Sequence, residues 1–210
     1  MLKAPKFWYR SNFSIFAILL LPLSLIWITG TYLKKKFAKP IRSKIPVIAI
    51  GSAIIGGSGK TPSVIYVCEI LEKIGYKPHV ISRGYGGSAN EVIKVSPDMS
   101  YSVVGDEAIM MSKYYPTWVS KNKYNAFAMA EKDGANILVL DDALQSYNIF
   151  KNLNIYVYDS IQSFGNKLIV PSGPLRESIG SVLNRSQIVF LVNTDNFPEI
   201  SKNKFQQNIN

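Results

Sequence analysis

The chain has 210 residues, 47% of them hydrophobic, with 24 Lys and Arg against 14 Asp and Glu and a single cysteine. That length suits one domain plus an extra element around a sizeable core, while one cysteine excludes an intramolecular disulfide and fits a reducing compartment. The net charge of +10 belongs to one end: residues 1–46 hold nine basic side chains (Lys3, Lys6, Arg10, Lys34, Lys35, Lys36, Lys39, Arg42, Lys44) and no acid, leaving 15 basic against 14 acidic residues elsewhere, a near-neutral body that excludes the spread of basic residues expected of a nucleic-acid binder.

Phe13 to Leu33 runs twenty-one residues without a charge, enough as one helix to cross the hydrocarbon core of a bilayer. Trp8 and Tyr9 stand at one end and Tyr32 at the other, where aromatic rings favour the interface. Lys34, Lys35 and Lys36 close the run, and Lys39, Arg42 and Lys44 follow. Residues 1–44 therefore read as a membrane anchor with a transmembrane helix, its basic C-terminal flank on the cytoplasmic side. A cleaved signal peptide competes with this, against the length of the run and the lack of an Ala-x-Ala-like site after it. A hairpin-like or interfacial helix broken at Pro22 is the other alternative.

From Ile45 onward short apolar runs alternate with helical patterns, the signature of a mostly parallel α/β sheet. The run Ile45 to Ile50 leads into GSAIIGGSGKTP, residues 51–62. Strand, glycine-rich turn and Gly-Lys-Thr at a helix start form a phosphate-binding P-loop. Ile55, Gly56, Gly57, Ser58, Gly59, Lys60, Thr61 and Pro62 would cradle a nucleoside triphosphate, with Lys60 on the β- and γ-phosphates and Thr61 on Mg²⁺. The general expression asks for Gly where Ile54 stands, so the loop has the form GGxGKT. An ordinary glycine-rich turn is the plain alternative. The helix after it places Val64, Val67, Cys68, Leu71 and Ile74 on one face and ends near Gly75, which makes Cys68 a packing residue.

A strand from Pro78 to Ser82 carries the only histidine, His79, which reads as a packed residue because no partner for catalysis stands near it in sequence. SRGYGG (82–87) follows at the strand's C-terminal end, the edge where open α/β sheets bind ligands. Arg83 and Tyr85 either meet a phosphate or sugar there or belong to a plain surface loop. Gly105-Asp106-Glu107 opens a helix to about Tyr115; its two acids either favour the helix dipole or bind Mg²⁺ and accept a proton. The apolar strand from Asn136 ends in Asp141 and Asp142, a Walker B arrangement that brings a carboxylate to the magnesium beside Thr61. Ile155 to Asp159 is another strand, followed by Phe164-Gly165-Asn166 and PSGPLRE (171–177), where Arg176 could neutralise a transferring phosphoryl group. Gln187 to Asn193 is a last strand, so the P-loop domain covers 45–193, and 194–210 is a polar tail expected to fray.

GGSGKTP (56–62), SRGYGG (82–87), GDE (105–107), DDALQ (141–145), FGN (164–166) and PSGPLRE (171–177) in this order resemble the tetraacyldisaccharide 4′-kinase family of lipid A assembly. The resemblance covers the N-terminal helix and the body to about Asn193. It implies transfer of the ATP γ-phosphate to the 4′-hydroxyl of an acylated glucosamine disaccharide 1-phosphate at the inner face of the cytoplasmic membrane. Matched position by position, it implies Asp106 as base, Glu107, Asp141 and Asp142 around Mg²⁺, and Arg176 on the nucleotide phosphates. Three departures stand out. Ala143 and Ser146 occupy positions where the family usually shows Gly and His. The resemblance also implies a part beyond residue 210 that completes the cleft and carries a histidine assisting the base, so these residues alone are expected to bind Mg-ATP and to turn over slowly. Two other classes compete: a non-catalytic nucleotide- or lipid-binding remnant, and a membrane-partitioning ATPase, whose loop has lysine where Ile55 stands.

Overall fold

The computed structural model describes residues 4–9, 14–56 and 59–193. In chain order it contains α1 (Ile15–Leu19), α2 (Leu21–Lys36), β1 (Val47–Gly51), α3 (Lys60–Lys73), β2 (Pro78–Ser82), β3 (Ile93–Lys94), α4 (Tyr101–Val104), α5 (Asp106–Ser112), β4 (Thr117–Val119), α6 (Phe127–Lys132), β5 (Ile137–Leu140), β6 (Leu153–Asp159), α7 (Ile179–Arg185) and β7 (Ile188–Val192). Phe13, Gly57, Ser58 and the 194–210 tail lie outside the described residues.

Among the described residues seven strands form one sheet in the order β3-β4-β2-β5-β1-β6-β7. All neighbours run parallel except β3 with β4. Parallel strands buried on both faces read as continuous apolar runs, which is how β1 (VIAIG) and β5 (ILVL) stand in the sequence, as does the Ile155 to Tyr158 part of β6. Side chains alternate across the sheet. Ile48, Ile50, Val80, Val139, Ile155 and Val157 point to the α3 side, where Val64, Val67, Cys68 and Leu71 cover them. Val47, Ala49, Ile81, Leu138, Leu140, Tyr156 and Tyr158 point the other way, onto Phe127, Ala130, Val182 and Leu183 of α6 and α7. Each buried aliphatic side chain of this size contributes about 1.5–3 kcal/mol. Ile74 is a correction: it follows the last residue of α3 as its C-cap and is 65% exposed, outside the core face.

The N-terminal reading needs a larger correction. Among the described residues no helix is long and apolar enough to cross a membrane. The apolar run is broken after Leu20, and Pro22 sits in the first turn of α2. Proline lacks the N–H that a continuous helix would use at that point, so the helix restarts where the missing donor costs nothing. The apolar part of α2, Leu21 to Leu33, is then roughly 20 Å long at the helical rise, short of the roughly 30 Å hydrocarbon core.

Candidate active site

Reversal of strand order at β1 brings the C-terminal ends of β1, β2 and β5 to one edge, where open α/β sheets form their crevice. Ile81 pairs with Leu140 and Ala49 with Leu140, so the residues that follow each strand emerge at the same level. The Ile81 carbonyl accepts from the Asp141 N–H (3.0 Å) and the Ile50 carbonyl from the Ala143 N–H (3.0 Å).

Beyond β1 the chain enters the phosphate loop. Ser52 Oγ donates to the Ile54 carbonyl (3.0 Å), and the Ile55 N–H to the Pro174 carbonyl (2.9 Å). Ile55 and Gly56 are exposed, whereas Lys60 and Thr61 are buried in the first turn of α3. Pro62 falls in that same turn, where a missing N–H is tolerated. Lys60 Nζ curls back to donate to the Gly56 carbonyl (2.9 Å). Gly59 caps α3 with φ +67, and the place a Cβ would take is bounded by the Val192 side chain at 3.0 Å. A side chain there would be strained and would press on Val192.

Asp141 is buried and accepts from Ser82 Oγ (2.9 Å) through Oδ2, while its Oδ1 has no hydrogen-bond partner among the described residues. Burial pushes its carboxyl above the usual aspartate range and Asp142 adds to this, with Lys123, Ser82 and Lys60 opposing. Asp142 stands at φ 45, and both its oxygens accept from Arg176 Nη1 at 3.0 and 2.9 Å. Burial would raise this carboxyl too, but Lys60, Arg176 and Lys123 together hold it below the usual range. The left-handed position therefore falls on Asp142, one residue before Ala143, which is why alanine is accommodated there. Glu107 is half-buried at the start of α5, its carboxyl raised by burial first and then by Asp141, against Lys60.

Asp106 is exposed and accepts from the Glu107 N–H (3.0 Å). It lines a cavity of about 320 Å³ with Tyr85, Gly86, Tyr101 and Gly105. Arg83 is exposed and is not among the residues lining that cavity, and its charge reaches Lys123. Bonds from the Ser88 N–H to the Ser102 carbonyl and from the Ala89 N–H to the Val103 carbonyl, both 3.0 Å, lace the SRGYGG loop to α4. Tyr85 and Tyr101 are each 72% exposed.

PSGPLRE closes over the site. Leu175 bridges Ile54, and the Arg176 N–H donates to the Ala53 carbonyl (2.7 Å). Glu177 is buried in an ion pair with Arg185 and accepts from Gln145 Nε2 and Ser181 Oγ, each at 2.9 Å. Gln145 Nε2 also donates to the Ser52 carbonyl (3.1 Å), tying DDALQ, PSGPLRE and the phosphate loop into one unit.

Several side chains that build the site went unassigned in the sequence. Ser82, Gln145 and Glu177 lay inside the motifs, without an assigned partner. Lys123 belongs to no motif; itself buried, it opens the 3₁₀ turn Lys123–Ala126 and reaches the Asp142 carbonyl at 3.5 Å, its ammonium depressed by burial despite Asp141 and Asp142. Of the expected magnesium ligands, Asp141 offers the unpartnered oxygen, while Asp142 is engaged by Arg176. Among the described residues no three His, Cys, Asp or Glu side chains form a metal-holding group. That still suits Mg²⁺, which is commonly held by one or two carboxylates together with phosphate oxygens.

A model of the family described as tetraacyldisaccharide-1-P 4'-kinase matches residues 16–209. The tetraacyldisaccharide 4'-kinase of Psychromonas ingrahamii is 39% identical over 196 residues, covering 89% of this chain and 60% of that protein. The corresponding protein of Rhodospirillum rubrum is 37% identical over 197 residues, covering 92% and 58%. The crystal structure of LpxK from Aquifex aeolicus in complex with ATP superposes with a TM-score of 0.76 at 24% identity, over 88% of this chain and 63% of that one. The chain thus spans less than two thirds of these proteins.

Proposed function

The chain belongs to the tetraacyldisaccharide-1-P 4'-kinase family, and on that footing we propose that it carries the ATP-binding and phosphoryl-transfer half of a lipid A 4′-kinase. The observation that supports this best is the convergence of Lys60, Asp141, Asp142 and Arg176 at one strand edge, with Asp141 keeping a buried oxygen that has no hydrogen-bond partner among the described residues. Lys60 contributes a point charge to the β- and γ-phosphates, and Thr61 and Asp141 would hold Mg²⁺. Bound there, the ion would neutralise charge on the phosphate oxygens. Arg176 exchanges its hold on Asp142 for a phosphate oxygen. Asp106 accepts the proton of the 4′-hydroxyl as the new O–P bond forms and the γ-phosphate leaves ADP. Tyr85 and Tyr101 border the cavity beside it and receive the sugar.

The acyl chains of such a substrate lie in a membrane, and the N-terminal helices have the surface to meet one. Ile15, Phe16, Leu19, Leu25 and Ile26 are each more than 60% exposed, with Lys34, Lys35, Lys36, Lys39, Arg42 and Lys44 beside them. Apolar residues with flanking bases suit a helix lying in the headgroup region of an anionic leaflet. The proposal is therefore attachment to the cytoplasmic membrane with the α/β body on the cytoplasmic side. The test is a labelled-ATP reaction on membranes, followed by thin-layer chromatography of the tetraacyldisaccharide. Label in the product that disappears in Lys60→Ala is expected. Absence of label, or product indifferent to Lys60→Ala, would overturn the reading.

A further inference from the structure

Resting on that reading, we propose that Trp27 is a positioning residue for Arg176, so that the seating of the N-terminal helices sets the aim of the phosphate-site arginine. The FGN and PSGPLRE segments form the socket. Asn166 clips the turn between them, donating from Nδ2 to the Ser172 carbonyl (2.9 Å) and accepting from the Leu168 N–H (3.1 Å). The N-terminal segment enters this socket at three levels. Trp8 Nε1 donates to the Pro171 carbonyl (3.0 Å), and the Trp8 carbonyl accepts from the Asn166 N–H (2.7 Å). Gly165 (φ +54) passes so close to that carbonyl that a Cβ would collide with it. Ser24, the buried residue of α2, places Oγ 2.8 Å from the Ile169 carbonyl and accepts from the Ser172 N–H (3.2 Å).

One turn further along α2, Trp27 Nε1 donates to the Arg176 carbonyl (2.9 Å). The main chain of Arg176 is thus fixed from both sides. Its N–H is bound to Ala53 ahead of the phosphate loop, its carbonyl to the indole, and its guanidinium reaches Asp142. Trp27 itself is 46% exposed, among the apolar side chains of the outer helix face. The same ring therefore touches the outside of the molecule and the peptide that carries the arginine. Without the indole donor the carbonyl is free to turn, and the guanidinium loses one of the constraints on its direction. Catalytic arginines depend on such fixed placement.

The experiment is a double-mutant cycle on the full chain, read by titration calorimetry of Mg-ATP. Trp27→Phe keeps the ring and removes the donor. It is expected to weaken Mg-ATP binding about threefold to tenfold, the scale of one hydrogen bond, with the unfolding midpoint and vesicle attachment retained. Combined with Arg176→Ala it should add no further loss, because both act through one side chain. Wild-type affinity in Trp27→Phe, or a full added loss in the Arg176→Ala background, overturns the proposal. Normal Mg-ATP binding by Arg176→Ala beside failed binding by Lys60→Ala also overturns it and leaves the kinase reading standing. Normal binding by Lys60→Ala would instead take down that reading.

Discussion

Lys60 and Asp141 show how differently two buried charges are handled at one edge. Lys60 Nζ donates to the Gly56 carbonyl, so the ammonium is tied back to the backbone of its own loop. Lys60→Ala is expected to leave the fold intact and to weaken Mg-ATP binding at least about tenfold, the scale of a lost charge-assisted contact; calorimetry on the folded variant checks it. Asp141 has the opposite economy. Its carboxyl keeps its proton to higher pH than an ordinary aspartate because it is buried beside Asp142. Between the ordinary and the raised value the folded chain binds more protons than the unfolded one, so stability falls as pH rises through that window. Asp141→Asn is therefore expected to raise the unfolding midpoint by about 2–4 °C, the response of a chain this size to ~1 kcal/mol, while abolishing the Mg²⁺ dependence of nucleotide binding. A lowered midpoint would show that the carboxylate serves the fold rather than the metal.

At the scale of elements, the ion pair of Glu177 and Arg185 joins the PSGPLRE loop to α7. Both partners are largely buried, and Ser181, Gln145 and Tyr147 also bond to the carboxylate. Burial would raise Glu177, but the bonds and charge of Arg185 pull it below the ordinary glutamate value. A depressed acid stabilises the fold above its unfolded pKa and stops doing so as pH falls through the folded one. Glu177→Ala should cost about 3–5 kcal/mol at neutral pH, the penalty for stranding a buried partner, and the gap from the parent should narrow in acid. Urea titrations at two pH values measure both.

Elements with a clear period were legible in the sequence. The continuous apolar run of Val47 to Ile50 and the helical spacing of Val64, Val67, Cys68 and Leu71 each had one structural solution, and the turn between them was announced by its glycines. β3 has two residues and β4 three, too short to carry a pattern. The break before α2 was signalled by Pro22, yet the unbroken apolar composition around it outweighed that one residue. Nothing local announces that Arg176 grips Asp142, thirty-four positions away, or that Lys123 is drawn under both aspartates. Those pairings exist only once the strand order is known.

For the molecule as a whole, charge and apolar exposure coincide at one end. Nine basic residues fall within 1–46, against a body of nearly balanced charge. Vesicle binding is therefore expected to need anionic lipid and to weaken as salt rises, without vanishing, because the apolar side chains of α1 and α2 contribute independently of ionic strength. Phe16→Asp together with Ile26→Asp should lower the partition coefficient at least about tenfold, since each removes an apolar contact worth about 1.5–3 kcal/mol. Flotation with vesicles of stated phosphatidylglycerol content reads both effects. Binding unchanged by the double substitution would remove these helices from the membrane surface.

The position of β1 between β5 and β6 also governs the order of events during synthesis. Val47 pairs with Leu138, and Ile48 with Leu153. The strand that carries the phosphate loop is made early, yet neither of its neighbours leaves the ribosome until some ninety residues later. Contacts this distant along the chain form slowly, after a costly loop closure. The socket for Trp8 and Ser24, at Ile169 to Ser172, emerges later still. Throughout that interval the nascent N-terminal helices have no protein surface to rest on. On the proposed attachment to a bilayer, that apolar surface is available before the socket is, and attachment is expected to precede completion of the fold.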